Sequence, residues 1–269
     1  MVQLESVVKT YRKGDRRVTA LAPIDLAVRP GEFVALQGPS GSGKTTCLLI
    51  AGGLLRPDSG RALIEGRDVY AMTPNQLAVF RSRTIGFVFQ QYHLIPYLTV
   101  LENILAPEAA YGPGNHAGRA RKLAERFGLA HRLDHTPGEL STGEKQRTAL
   151  ARALLFEPKI VLADEITGNL DEENSHIVLG FLREYVRSGG SVLLVTHDSE
   201  VAAGADRRQR IQNEGSRGFD RVPHAPLAHP TTNERLFVPK GQRAALNNLR
   251  AYFSNRAKNG PRYRIGAAQ

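Results

Sequence analysis

The chain has 269 residues, 41% of them hydrophobic and 23% charged, which is enough for a buried core and excludes wholesale disorder or a coiled coil. The formal charge is +10, but Asp206 to Gln269 holds thirteen Lys and Arg against four Asp and Glu, so +9 falls there. The body is near neutral and the tail basic, which differs from a basic domain. The single cysteine, Cys47, excludes an internal disulfide; it fits a reducing compartment but reads first as a buried, inert thiol, which would look the same.

The N-terminal stretch from Met1 to Arg17 carries charges where an export signal needs an apolar segment. The apolar runs Ile160 to Ala163 and Val192 to Val195 are strand-sized, far short of the roughly 18 to 20 residues of a membrane helix. No segment is expected to span a bilayer. The early residues alternate strands and turns. Glu32 to Gln37 reads as a strand that enters a Gly-rich turn, and Thr45 to Ala51 continues with helical periodicity. Thr73-Pro74-Asn75-Gln76 and Thr99 with Glu102 are helix-start patterns, each a capping Thr with Gln or Glu three residues on. From about 99 to 158 helix formers dominate, which predicts a helical insertion. Two strands, Lys159 to Ala163 and Ser191 to Thr196, then flank an amphipathic stretch from Asn174 to Arg187. Strands alternating with helices predict an α/β fold with a mainly parallel sheet. After about Gly215 the composition turns to Pro, His, Asn and Arg without periodicity, which sets a domain boundary there.

Gly38-Pro39-Ser40-Gly41-Ser42-Gly43-Lys44-Thr45 fits the phosphate-binding loop pattern and sits between a strand and a helix. Glycines let successive backbone N–H groups face one anion, and the helix N-terminus adds partial positive charge. Lys44 is placed to reach the β- and γ-phosphates, and the Thr45 hydroxyl to reach Mg²⁺. The plain alternative is a Gly-rich turn. Further on, the apolar run from Lys159 to Ala163 ends in Asp164 and Glu165. Carboxylates there belong at the C-terminal edge of the sheet, beside the loop, where Asp164 would hold Mg²⁺ and Glu165 would polarise an attacking water. Two solvated acids at a strand end are the alternative.

With these residues in view, the chain resembles an ABC ATPase over about residues 1 to 205, and within that family the group of LolD, MacB and FtsE. Leu140-Ser141-Thr142-Gly143-Glu144 stands at the family's signature, Phe89-Gln90-Gln91 at its Gln loop, Gly168-Asn169-Leu170-Asp171 at the loop after the second carboxylate, and Thr196-His197-Asp198 at its His switch. The resemblance implies an ABC-type P-loop NTPase with N-terminal antiparallel strands and a helical subdomain at about 99 to 158. It implies an ATPase that uses ATP and Mg²⁺. It also implies a homodimer that closes around two ATP molecules and moves an integral membrane permease of FtsX or MacB type from the cytoplasmic face. On the same ground Gln90 contacts Mg²⁺ and water, and His197 contacts the γ-phosphate and steadies Glu165. Ser141 and Gly143 meet the γ-phosphate held by the other protomer, Tyr11 stacks on adenine, Thr46 adds a nucleotide contact after Thr45, and Asn169 and Asp171 line the dimer seam.

Each of these residues also has a structural alternative. Ser141 with Glu144 is a capping box, Asp171 caps the helix that follows, Tyr11 packs in its strand, and Gln90 and His197 are satisfied polar residues. The chain departs from the family pattern at Thr142, Glu144 and Ile166, with activity expected to survive. Arg207-Arg208-Gln209-Arg210 is too polar for the apolar strand expected there, so a strand at that place is in doubt. The tail from Gly215 onward reads as a solvated extension, a membrane-surface helix over Gln242 to Arg256, a nucleic-acid segment or text from an altered reading frame. The rival function, a soluble ABC ATPase serving nucleic acid or ribosomes, rests on that tail alone. One cassette and no sustained heptads speak against it, and no nucleic-acid partner is expected.

Overall fold

The computed structural model describes residues 1–13, 16–108 and 116–211. The boundary read at Gly215 and the basic helix read over Gln242 to Arg256 lie outside the described residues.

Two sheets frame the fold. The first is antiparallel, order β2-β1-β4-β5, built from β1 (Val2–Lys13), β2 (Arg16–Val28), β4 (Ser59–Ile64) and β5 (Arg67–Asp68). Alternate residues of β1 and β2, among them Val2, Leu4, Leu26 and Val28, turn inward, the period expected of a half-buried sheet. The second sheet is wholly parallel, order β6-β7-β8-β3-β9, from β6 (Ile85–Val88), β7 (Ile160–Asp164), β8 (Ser191–Thr196), β3 (Phe33–Gln37) and β9 (Arg207–Arg210). Every residue of β3, β7 and β8 is buried, which is why their sequences are continuous apolar runs without alternation.

Helix α1 (Lys44–Ala51) touches β1, β2 and β4 of one sheet and β7 and β8 of the other. Its Cys47, Leu48, Ile50 and Ala51 join inward residues of both sheets in one core, each large aliphatic side chain contributing about 1.5–3 kcal/mol. This anchors the loop that leads into α1. Burial also pushes the Cys47 thiol up to about 12, in line with the inert cysteine expected from sequence.

Residues 99–158 carry α3 (Val100–Leu105), α4 (Ala117–Arg126) and α5 (Thr142–Leu154), which contact one another while α5 also packs on β6. Among the described residues of this stretch there is no strand. Capping boxes start α2 (Pro74–Thr84) at Thr73, α3 at Thr99 and α5 at Ser141. Helices α6 (Glu172–Arg187) and α7 (Ser199–Ala203) complete the order.

The doubt about a strand near Arg207 is corrected. Arg207–Arg210 forms β9, parallel to β3 with Val34 opposite Arg207 and Gln37 opposite Arg210. Polar residues suffice because β9 is an edge strand with alternate residues exposed. The Arg207 guanidinium pairs with Glu32 Oε1 at 2.7 Å. No helix among the described residues is long and apolar enough to cross a membrane.

Candidate functional site

Four neighbouring strands of the parallel sheet end on the same side. Gln90 follows β6 by two residues, Asp164 ends β7 with Glu165 behind it, His197 follows β8, and the Gly38–Gly43 loop follows β3. The register sets Asp164 opposite Val195 and Gln37 opposite Thr196, so segments far apart in sequence share one sheet edge, the place where open α/β sheets take ligands.

The loop from Gly38 is closed tightly. Gly43 has φ of 92°, and a Cβ there would collide with the Ala20 carbonyl, so the position admits only glycine. Gly43 is the N-cap of α1 and no side chain caps that helix, which leaves its first N–H groups and positive dipole end for an acceptor supplied from outside. Ser42 Oγ is buried and, among the described residues, has no hydrogen-bond partner. An orphan donor and an uncapped helix start in one loop suit a phosphate chain. The Lys44 ammonium is buried and donates to the carbonyls of Gly38 at 2.9 Å and Pro39 at 3.1 Å. Pro39, Ser40 and Gly41 form the outer turn of the loop, and Thr46 lies in the first turn of α1.

Two contacts tie the loop to the carboxylates. Thr45 Oγ1 donates to Asp164 Oδ1 at 3.2 Å, and Lys44 Nζ lies 3.7 Å from Glu165 Oε1. His197 Nδ1 lies 3.4 Å from the same Glu165 oxygen, with most of the imidazole exposed. Glu165 adopts φ of 46°, a left-handed backbone that side-chain-bearing residues avoid and that concentrates at functional sites. Exposed Gln90 lies on the β6 side, its amide nitrogen beside Gly168. A hydroxyl, a carboxamide and one carboxylate fit Mg²⁺, which keeps phosphate and water ligands and needs few from protein.

Ser141 stands apart. Its hydroxyl accepts from Glu144 N at 3.2 Å while Glu144 Oε2 accepts from Ser141 N at 2.8 Å, and no side-chain hydrogen bond or ion pair joins it to the Lys44 group among the described residues. The exposed Ser141 and Thr142 therefore present a helix N-terminus to solvent. The other oxygen of the Glu144 carboxylate, Oε1, accepts from Arg132 Nε at 2.8 Å. Burial works to raise its pKa, but the Ser141 N–H and Arg132 outweigh burial and hold it below the usual 4.5. The departure from the family pattern at Glu144 thus puts no free charge at the helix mouth.

Gly143 is buried against the Asn174 side chain, where a Cβ has no room. Asn174 donates through its backbone to Asp171 Oδ1 at 2.7 Å and accepts from Arg147 at 2.6 Å. Asp171 is the N-cap of α6, and the hydrogen bonds it accepts from the Asn174 backbone and side-chain amide hold its carboxyl below the usual range. Tyr11 lies on β1, half exposed, with Lys9 Nζ 5.6 Å from its ring centroid. The structure thus brings together Lys44, Thr45, Asp164, Glu165 and His197, with Gln90 at the neighbouring strand end, and among the described residues no side-chain hydrogen bond or ion pair joins Ser141, Gly143, Asp171 or Tyr11 to that group. Sequence reasoning passed over Arg132, Arg152 and Asn174. Only Asn174 had a readable signal, its position three residues after a capping Asp.

A family model described as "ABC transporter" matches residues 21–168. The chain is 42% identical over 228 residues to the lipoprotein-releasing system ATP-binding protein LolD of Shewanella oneidensis, covering 84% of this chain and 97% of that one. It is 37% identical over 271 residues to the macrolide export ATP-binding/permease protein MacB of Chlorobaculum tepidum, spanning 94% of this chain but only 42% of that relative. Among solved structures, a dimeric bacterial ABC transporter cassette superposes with a TM-score of 0.74 at 38% identity, over 78% of this chain and 94% of its own. A post-hydrolysis dimer bound to ADP and Pi gives 0.71 at 38% identity, over 79% and 94%.

Proposed function

The chain belongs to the ABC transporter family, and on that premise we propose that it is the ATP-binding and hydrolysing subunit of a LolD- or MacB-type machine, two copies of which drive a separate membrane permease. The observation that carries the reading is the meeting of Lys44, Thr45, Asp164, Glu165 and His197 at one sheet edge. Two carboxylates, a buried ammonium and an uncapped helix start are what phosphoryl transfer to water requires.

In this reading the loop from Gly38 to Gly43 wraps the phosphates with backbone N–H groups, and Thr46 adds a contact behind it. Lys44, held over the loop by the Gly38 and Pro39 carbonyls, donates to the β- and γ-phosphates. Thr45, Asp164 and Gln90 would hold Mg²⁺, which when bound would supply charge neutralisation on the phosphates. Glu165 accepts a hydrogen bond from the attacking water and sets it in line with the γ-phosphate. His197 holds the Glu165 carboxylate from the other side and contacts the γ-phosphate. Tyr11 stacks on the adenine.

Ser141 and Gly143 complete the site of the other copy, with Asn169 and Asp171 along the seam between copies. The ATPase body ends near Gly215, and residues 216–269 form a basic extension. The permease is an integral membrane protein of FtsX or MacB type that holds the subunit at the cytoplasmic face, and no nucleic acid takes part. Glu165→Gln tests the chemistry. Turnover is expected to fall by ~10²-fold or more while ATP stays bound; a variant that hydrolyses ATP at the parent rate removes Glu165 from this role and the reading with it.

A further inference from the structure

Gln90 sits in a turn that is held from two sides. The turn is closed by Tyr92 N donating to Phe89 O at 3.0 Å. Phe89 stacks on Phe87 at 5.6 Å between centroids, and His93 meets it edge-on at 5.1 Å. Tyr92 and His93 then take φ of 59° and 46° in succession. Two consecutive left-handed residues bearing large side chains do not keep that shape unaided. Here the shape is fixed by Arg152, which donates through Nη2 to Tyr92 O and through Nη1 to His93 O, both at 2.6 Å. Arg152 lies near the C-terminal end of α5, the helix whose N-cap is Ser141. Burial draws its guanidinium down to about 10, so it stays charged at neutral pH. On the opposite side the Tyr92 side chain faces that of Asn169, in the loop after Glu165.

We propose that Arg152 and Tyr92 are positioning residues that fix the Gln90 turn against the Ser141 helix and against the loop after Glu165, so that the three segments shift as one unit. Neither residue touches the reacting atoms. The guanidinium offers one N–H to each carbonyl from a rigid planar fork, whereas a lysine ammonium on its flexible stem is not preorganised for both. The inference rests on the ATPase reading of the site, since it assigns Gln90 its importance.

The test uses the full chain and begins with turnover of the parent; a parent without turnover overturns the reading beneath the inference. Given an active parent, Arg152→Lys is expected to lower kcat about tenfold while the Kd for ATP, measured in a Glu165→Gln background, stays within about twofold. Amide hydrogen exchange over residues 89–95 is expected to quicken. Adding His93→Asn, whose side chain tolerates the left-handed backbone, should restore about a third or more of the lost kcat, an effect a purely structural role for Arg152 would not give. Should the lysine variant fail to fold, Tyr92→Phe removes only the hydroxyl that meets Asn169 and should lower kcat about threefold with the ATP Kd unchanged. Parent-like kcat in the folded lysine variant, a loss that His93→Asn does not relieve, or parent-like kcat in Tyr92→Phe would overturn the proposal.

Discussion

The sheet edge and the start of α5 are two regions of one chain with opposite degrees of completion. At the sheet edge every charged group has a partner from another strand end, Lys44 with the loop carbonyls and Glu165, Thr45 with Asp164, His197 with Glu165. At the start of α5 the exposed Ser141 hydroxyl bonds, among the described residues, within its own helix, and the Glu144 charge is paired with Arg132. In the proposed reading the first region binds a triphosphate by itself. On the same reading the second takes its anion from a second copy of the chain.

The sharpest way to break this contrast is to damage each region alone. Lys44→Ala and Ser141→Arg should each lower ATP turnover by roughly 10²–10³-fold, the cost of removing a donor from a preorganised anion site. Only Lys44→Ala should also weaken ATP binding to a single chain, as read by equilibrium dialysis. Equal losses of affinity in both variants would erase the distinction.

A smaller effect comes from the seam beneath the second region. Gly143→Ala drives a Cβ into Asn174 and should cost about 1–3 kcal/mol in urea unfolding, with part of that loss recovered by Asn174→Ala in the same chain. The smallest effect concerns charge. Glu144→Gln gives up the ion pair to a partly exposed Arg132, worth about 0.5–1 kcal/mol. The carboxyl is held below its ordinary 4.5 in the folded chain, so its contribution is present above that value and is lost as pH falls through the lower folded one. Parent stability should therefore drop more steeply than that of Glu144→Gln on acidification below about pH 4.5, and parallel curves would contradict the pairing.

Much of this was legible in the sequence wherever local chemistry decides structure. The loop from Gly38 to Thr45 needed glycines and a lysine whatever surrounds it, and the carboxylates after an apolar strand could only stand at a sheet edge. The capping boxes at Thr73, Thr99 and Ser141 follow from three-residue spacing and are present as read. Residues decided by tertiary context were not legible. Arg207–Arg210 looks unlike a strand because the pattern does not reveal that it lies at an edge. Arg152 and Arg132 look like solvated helix charges, and their meaning comes from carbonyls and a carboxylate brought in from 59 or 60 and 12 residues away. The partner of Gly143 is likewise a contact between two helices, which no single periodicity displays.

The central claim is that an active site is shared between two copies, and mixing damaged chains tests it most directly. Purified Lys44→Ala and Ser141→Arg chains, each inactive alone, are combined and assayed for ATP turnover. The account predicts activity well above the average of the two, because a mixed pair joins the intact phosphate loop of one copy to the intact Ser141 helix of the other. A mixture no more active than its components would contradict the shared site.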